Sequence, residues 1–156
     1  GTIARHKELQ PHVFSQVVDV NLNGTMRVCS EARRLLSKSK GSIINIASML
    51  SYFGGGVVPG YSASKGGIIS MIKGIAVEHA RYGIRANTIV PGWIATDMTN
   101  DSQNSEKFTN KVISRVPMRR WGEPKDFAGI AVYLASDSSS YHSGDSFVVD
   151  GGYAIF

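Results

Sequence analysis

Two side chains that could exchange a proton stand four positions apart in the segment Tyr61-Ser62-Ala63-Ser64-Lys65. On a helix this spacing places both side chains on one face. A free tyrosine titrates at about pH 10, too high for a base at neutral pH, but a nearby ammonium group favours the phenolate and lowers that pKa. The pair could therefore serve as the general acid and base for an alcohol or a ketone.

Such a pair is weak evidence by itself, because a surface tyrosine beside a solvated lysine is common. Ser48, however, ends an apolar run thirteen residues before Tyr61, and ligands of parallel sheets bind beyond the carboxyl ends of strands. Asn21 falls in the middle of a predicted helix, where asparagine is not favoured. Pro91-Gly92 ends the next apolar run and Thr96 follows it, which predicts a second loop at the same edge of the sheet.

The elements that would position these residues follow from the apolar periodicity. Helices are predicted over about residues 13–38 and 62–82, from the polar stretch 101–107 to about Val116, and from Pro124 to about Ala135. Short β-branched runs predict buried parallel strands at 42–47, 84–90 and 146–149. Helices alternating with strands imply an α/β fold with a parallel sheet and helices on its faces.

The composition narrows the class of protein. Hydrophobic residues make up 42% of the 156 positions and charged residues 19%, a globular profile that predicts one domain over 1–156. No apolar run is long enough to cross a bilayer and no targeting segment is present, so no membrane partner is expected. The single Cys29 fits a reducing, cytoplasmic location.

Metal and nucleic acid are not expected as ligands. The four histidines show no metal-ligand spacing. The net charge of +5 comes without a basic helix carrying interleaved aromatic residues, which argues against nucleic acid.

The segments together resemble the short-chain dehydrogenase/reductase family over nearly the whole chain. The matching segments are Asn45-Ile46-Ala47-Ser48, Tyr61 to Lys65, Arg85 to Gly92 and Asp150-Gly151-Gly152, with Asn21 at the family's catalytic asparagine. The resemblance implies a Rossmann-like, doubly wound parallel sheet. It also implies NAD or NADP as cofactor and an alcohol or ketone as small-molecule substrate.

The resemblance also implies a role for each matching residue. Tyr61 would donate and accept the proton, and Lys65 would lower its pKa and hold the nicotinamide ribose. Ser48 would hydrogen-bond the reacting oxygen, and Asn21 would hold a water of a proton relay. The nicotinamide ring and its carboxamide would lie against Pro91, Gly92, Ile94 and Thr96, and Trp93 is a candidate for lining the substrate pocket.

The family's glycine-rich phosphate loop and the residue that selects NAD or NADP have no counterpart in this sequence. Gly1 stands where the family's Asn-Asn-Ala-Gly segment is expected to end. We therefore expect the chain to be the C-terminal part of the family's domain, with the N-terminal strands of the sheet absent. A truncated, non-catalytic assembly partner is the alternative function.

The sequence constrains the substrate and the oligomeric state less closely than the catalytic residues. The segment Arg119 to Pro124 resembles members that act on sugar acids and polyols, and members that reduce 3-oxoacyl thioesters look similar there. The helix after Tyr61 is apolar on nearly all sides, which indicates burial on nearly all sides. We expect part of that burial to come from another subunit, in a homodimer or homotetramer.

Overall fold

A computed structural model describes residues 1–156 as a three-stranded sheet with six α-helices. The strands are β1 (Ser42–Ile46), β2 (Arg85–Pro91) and β3 (Ser146–Val149). The helices are α1 (Pro11–Val18), α2 (Gly24–Ser39), α3 (Pro59–His79), α4 (Asn100–Gln103), α5 (Glu106–Ile113) and α6 (Ala128–Ala135). Short 3₁₀ turns connect them at Arg5–Leu9, Met49–Ser51, Ala80–Tyr82, Asp97–Thr99, Pro124–Phe127, Asp137–Ser139 and Tyr153–Ile155.

The sheet has the order β1-β2-β3 and both strand pairs are parallel. Ile43 of β1 packs into a core cluster with residues of α2 and α3, whereas the hydroxyl of the neighbouring Ser42 donates to the Leu134 carbonyl of α6 at 2.9 Å. Since successive strand residues point to opposite faces, α2 and α3 cover one face and α6 lies on the other. The predicted α/β class with a parallel sheet is confirmed.

The core lies between the sheet and α3. Its buried apolar side chains are Cys29, Ile43, Ala47, Ile68, Ile72, Ile75, Ala76, Ile84, Ala86 and Val90. They repeat at helical spacing along α3, and Ala86 and Val90 lie on one face of β2, as a helix laid on a sheet requires. The α3 axis is therefore fixed relative to β1, which determines where the first turn of α3 meets the end of that strand.

The first predicted helix is interrupted. The sequence predicts one helix over 13–38, but a π-helical turn at Asp19–Asn23 separates α1 from α2. A π turn inserts one extra residue into the helical ladder and is often found at functional sites. Helix α2 ends at Ser39, and the residue that caps it, Lys40, adopts a left-handed conformation (φ 51°).

Other helix boundaries differ from the predictions in smaller ways. Helix α3 begins at Pro59 rather than 62, since proline suits a first helical turn. It ends at His79, and a 3₁₀ turn leads to Gly83 in the left-handed region. The helix expected to end near Val116 is two short helices, α4 and α5. No helix of the chain has the length and apolar character needed to cross a membrane.

The packing of α3 gives a test of the core. Ile72 is 0% exposed, whereas Val77 on the same helix is 81% exposed. We expect Ile72→Ala to lower the free energy of unfolding by about 2–5 kcal/mol, because it removes buried methyl groups and leaves a cavity. Val77→Ala is the control and should change it by less than about 0.5 kcal/mol. Equal decreases in the free energy of unfolding of the two variants, measured by urea denaturation, would contradict this packing.

Candidate active site

Ser48, Tyr61 and Lys65 meet where β1 ends and α3 begins. Ser48 lies two residues beyond β1, is buried, and its hydroxyl oxygen accepts from the Leu50 N–H at 3.2 Å. Tyr61 is the third residue of α3, and Lys65 follows one turn later on the same helix face. The strand end and the helix start thus bring together three side chains that the sequence singled out.

Lys65 is a buried cation that joins α3 to β1. Its side chain is 7% exposed, and its Nζ donates to the Ile46 carbonyl at 2.8 Å. This is its only hydrogen bond to the protein, so two of its three N–H groups are available for another acceptor. Nζ also lies 5.6 Å from the centre of the Tyr61 ring. Burial lowers the pKa of Lys65, because it penalises the ammonium form.

The pKa of Tyr61 moves in the opposite direction to the one predicted. Burial raises it, the hydroxyl of Ser48 partly lowers it by hydrogen bonding, and the negative charge of Glu8 raises it further. The spacing of Tyr61 and Lys65 predicts a lowered value. That prediction is wrong for this structure because the ammonium bonds to the Ile46 carbonyl and lies over the tyrosine ring, and the cost of burying a phenolate is larger.

Asn21 lies in the π-helical turn and is buried. Its side-chain amide accepts from the Thr2 N–H at 2.6 Å and donates to the Thr2 carbonyl at 2.8 Å and to the Ser64 hydroxyl at 3.2 Å. Its own backbone carbonyl accepts from the Thr25 hydroxyl at 2.7 Å. Asn21 therefore connects the N-terminal segment to α3 through hydrogen bonds.

Gly1 is closely packed against the side chain of Asn21. A Cβ atom added at Gly1 would lie 2.9 Å from Asn21 Oδ1 and 3.7 Å from Lys65 Nζ. The first value is shorter than a side-chain carbon tolerates, so the position favours glycine. The N-terminal segment therefore borders the lysine end of the site.

Glu8 is a site residue that the sequence analysis missed. It is 1% exposed, and its two carboxylate oxygens accept from the Ala4 N–H at 2.7 Å and the Tyr61 N–H at 2.8 Å. The first N–H groups of a helix lack partners within the helix, and an anion near a helix N-terminus is favoured. Glu8 therefore caps α3 from a distant segment. Its spacing from Tyr61 gives no signal in the sequence.

The loop after β2 only partly joins this group. The Gly92 N–H donates to the Val149 carbonyl at 3.0 Å, and a Cβ at Gly92 would lie 2.6 Å from the Asp150 Cβ, so only glycine fits. Of Pro91, Gly92, Ile94 and Thr96, only Gly92 lines the cavity that holds Tyr61; Ile94 lines a smaller neighbouring one. Thr96 is exposed and caps the turn Asp97–Thr99, its N–H donating to the Thr99 hydroxyl at 3.1 Å.

A cavity of about 720 Å³ opens beside Ser48 and Tyr61, a size typical of small-molecule sites. One wall is aromatic and consists of Phe53, Trp93, Phe108 and Tyr153. Arg5, His6, Asp101 and Arg115 contribute charged or titratable groups. Trp93 was expected here, whereas Phe53, Phe108, Arg115 and Tyr153 belong to no motif and come from distant parts of the chain. No cluster of three His, Cys, Asp or Glu side chains could hold a metal ion.

Comparison with known proteins supports one family. The family described as Enoyl-(Acyl carrier protein) reductase matches residues 2–154. A 2-dehydro-3-deoxy-D-gluconate 5-dehydrogenase of Pseudoalteromonas atlantica is 39% identical over 98% of this chain and 61% of its own length. The protein of the same name from Bacillus subtilis is 40% identical, with the same coverage.

A solved structure agrees with these sequence matches. The gluconate 5-dehydrogenase of Burkholderia cenocepacia J2315, crystallised in complex with NADP and tartrate, superimposes with a TM-score of 0.92 at 30% identity. The match covers 99% of this chain and 61% of that one. The chain thus spans about three fifths of the length of these relatives, and its three-stranded sheet corresponds to part of a doubly wound Rossmann-like fold.

Glu8 gives a testable link between the N-terminal segment and Tyr61. We expect Glu8→Gln to lower the pKa of Tyr61, since it removes a negative charge that opposes the phenolate. Ultraviolet titration of tyrosine ionisation measures this, with Tyr61→Phe identifying the Tyr61 signal.

Glu31→Gln, which neutralises an exposed carboxylate of α2, is the control and should leave that titration unchanged. Glu8→Gln should also lower the free energy of unfolding by about 1–3 kcal/mol, because one buried N–H loses its acceptor. A Tyr61 titration identical in Glu8→Gln and the native chain would contradict the proximity of this charge.

Proposed function

Because the chain belongs to the short-chain dehydrogenase/reductase family, we propose that it is the catalytic part of an NAD(P)-dependent oxidoreductase that interconverts a secondary alcohol and a ketone. The observation that supports this most directly is the convergence of Ser48, Tyr61 and Lys65 where β1 meets α3, with Ser48 and Tyr61 lining a substrate-sized cavity. We assign residues 1–156 to a single domain.

In the proposed reaction, Tyr61 exchanges the proton with the substrate oxygen. For reduction of a ketone, the neutral phenol donates its proton as the carbonyl oxygen gains charge; for oxidation, the phenolate accepts the hydroxyl proton. Ser48, whose hydroxyl interacts with Tyr61, holds the same oxygen and orients it. In this proposal the charge of Lys65 offsets only part of the cost of burying the phenolate, so the pKa of Tyr61 stays raised, and burial also weakens the protonated state of Lys65 itself.

The residues present fit the nicotinamide end of a dinucleotide. Lys65 Nζ has two uncommitted N–H groups in a buried position, as needed to hold ribose hydroxyls. Pro91 ends β2, and Gly92, Ile94 and Thr96 follow it at the carboxyl end of the strand, where ligands of such sheets bind. The cofactor, NAD or NADP, would supply the hydride acceptor or donor when bound.

Asn21 acts in this proposal by holding the N-terminal segment against α3. Its bonds to Thr2 and Ser64 keep that segment beside Lys65. A water between Lys65 and solvent would complete the proton relay that the family resemblance implies. The pocket-facing groups of residues 1–9 are thereby placed on the same side as Tyr61.

We propose a sugar acid or a polyol as the substrate class, in line with the names of the relatives. The family description instead points to acyl substrates, so a 3-oxoacyl thioester is the competing class. Small-molecule substrates of either class fit the cavity volume.

A second candidate function is that of a non-catalytic assembly partner. Several apolar side chains of the helices before β1 are exposed, namely Val20, Val28 and Leu35. Exposed apolar side chains are the kind of group that a second chain would cover. Covering them in a homodimer or homotetramer would suit the enzyme equally, so the two candidates differ in cofactor binding rather than in assembly.

Titration with NADH and with NADPH, followed by cofactor fluorescence, separates the two candidates. Saturable binding supports the oxidoreductase and identifies the preferred cofactor. A folded chain that binds neither cofactor would contradict catalysis by this chain and leave the assembly partner as the better proposal.

Tyr61→Phe tests the proton-transfer role. We expect kcat to fall by about 10²- to 10⁴-fold, the usual contribution of a general acid or base, while cofactor binding is retained. Tyr141→Phe, at a fully exposed tyrosine, should leave kcat unchanged and serves as the control.

The pH profile gives a further check. Since the pKa of Tyr61 is raised above its ordinary value of 10.0, the phenolate fraction increases with pH throughout the neutral and alkaline range. Alcohol oxidation should therefore accelerate with pH across that range, whereas ketone reduction, which needs the neutral phenol, should stay level until the pH approaches the raised pKa. An oxidation rate that is flat from pH 7 upward would contradict Tyr61 as the titrating base.

A further inference from the structure

We infer that Arg115, held by Tyr153, is the group that binds a substrate carboxylate in the cavity beside Tyr61. This inference deepens the proposed function and rests on it, since it selects among the substrate classes. It predicts a hydroxy acid or keto acid as ligand, with its carboxylate at Arg115 and its reacting oxygen at Ser48 and Tyr61.

Arg115 is the cation of this cavity that has no anionic partner. Arg5, which also lines the cavity, has a carboxylate oxygen of Asp101 at 4.0 Å, so each partly offsets the other's charge. Arg115 forms no ion pair with any acidic side chain. His6 is the remaining titratable side chain in the cavity wall apart from Tyr61 and Tyr153. An anion entering the cavity therefore meets its least compensated positive charge at Arg115.

The two nearby arginines have structural partners instead. The Arg119 guanidinium donates to the Ser114 carbonyl at 2.6 Å and so satisfies the end of α5. Arg120 forms a two-pronged ion pair with Asp126, with distances of 2.7 and 3.0 Å. Neither of them lines the cavity that contains Tyr61. Of the three arginines in this segment, only Arg115 has a guanidinium available for a ligand.

Tyr153 fixes the orientation of Arg115. The guanidinium lies 4.5 Å from the centre of the Tyr153 ring, and its Nη1 donates to the Tyr153 hydroxyl at 2.9 Å. Edge-to-face contacts with Phe53 and Trp93, at centroid distances of 6.3 and 6.5 Å, hold the tyrosine ring in turn. An arginine that is stacked on a ring loses less side-chain freedom when it binds a ligand.

The backbone around Tyr153 is fixed as well. The Asp150 carboxylate accepts from the Gly152 N–H at 2.8 Å and from the Ala154 N–H at 2.7 Å. A Cβ at Gly151 would lie 2.9 Å from Val116, and one at Gly152 would lie 2.9 Å from Pro117. These close approaches press the C-terminal loop against the residues that follow Arg115. The segment Asp150-Gly151-Gly152 thus positions both members of the pair.

The chemistry of the pair selects a carboxylate. A guanidinium presents parallel N–H groups that match the two oxygens of a carboxylate. The aromatic wall formed by Phe53, Trp93, Phe108 and Tyr153 offers apolar faces to the carbon chain of the ligand. A neutral polyol would contact the aromatic wall but could not pair with the guanidinium as a carboxylate does. The reacting end of an acyl thioester likewise carries no carboxylate.

Calorimetric titration of this chain with D-gluconate and with D-glucitol tests the inference, because the two ligands differ in a carboxylate against a hydroxymethyl group. We expect gluconate to bind at least about 10-fold more tightly, in keeping with a charge-assisted hydrogen bond, and the preference to shrink as salt is added. Arg115→Gln should abolish the preference, and Arg115→Lys should retain part of it.

Two further variants separate a binding role from a structural one. Tyr153→Leu, which removes the ring beneath the guanidinium, should weaken gluconate binding while glucitol binding changes little. Arg34→Gln removes the same charge from an exposed position on α2 outside the cavity and should leave the preference intact. A preference that is absent in the native chain, or unchanged in Arg115→Gln, overturns the inference.

Failure of this inference can be distinguished from failure of the proposed function. Loss of cofactor binding or turnover with the gluconate preference intact would contradict the oxidoreductase and leave the carboxylate site standing. Turnover of a neutral secondary alcohol without any gluconate preference would support the oxidoreductase and contradict the carboxylate site at Arg115.

Discussion

The hydrogen bond from Lys65 to the Ile46 carbonyl is the interaction on which the arrangement of the site depends. It joins the first turns of α3 to the end of β1 and lies next to the core in which Ile68 and Ile72 pack against the sheet. A buried ammonium without acceptors would be costly. The Ile46 carbonyl offsets part of that cost, and two N–H groups of the ammonium keep no acceptor within the protein.

Tyr61 experiences opposing effects from the groups that position it. Glu8 satisfies the Tyr61 N–H at the helix start, yet its charge disfavours the phenolate; Ser48 favours the phenolate, and burial opposes it. Moving the carboxylate would leave two partly buried N–H groups, those of Ala4 and Tyr61, without their acceptor. The proton affinity of Tyr61 is thus coupled to the anchoring of the N-terminal segment, and a change in one alters the other.

The sequence predicted the sheet and its helices well because their apolar patterns are local. All three strands lie within about one residue of their predicted ends, and α3 differs only in its proline-containing start and in its last turn, which is 3₁₀. The site was predictable where motif residues flank those elements, as with Ser48, Tyr61 and Lys65. The π-helical turn was not predicted, and Asn21 within it bonds Thr2 and Ser64, contacts that exist only after folding.

The residues that sequence reasoning missed share one property, which is a partner far away in the chain. Glu8 resembles any polar residue of a surface turn until its contact with Tyr61, 53 positions later, is seen. Arg115 and Tyr153 are 38 positions apart, and neither belongs to a catalytic motif. The direction of the Tyr61 pKa shift was missed for a related reason, since the depth of burial is a property of the packed fold. Local spacing therefore identifies the groups that can react, whereas long-range packing sets their proton affinity and the chemistry of the ligand they face.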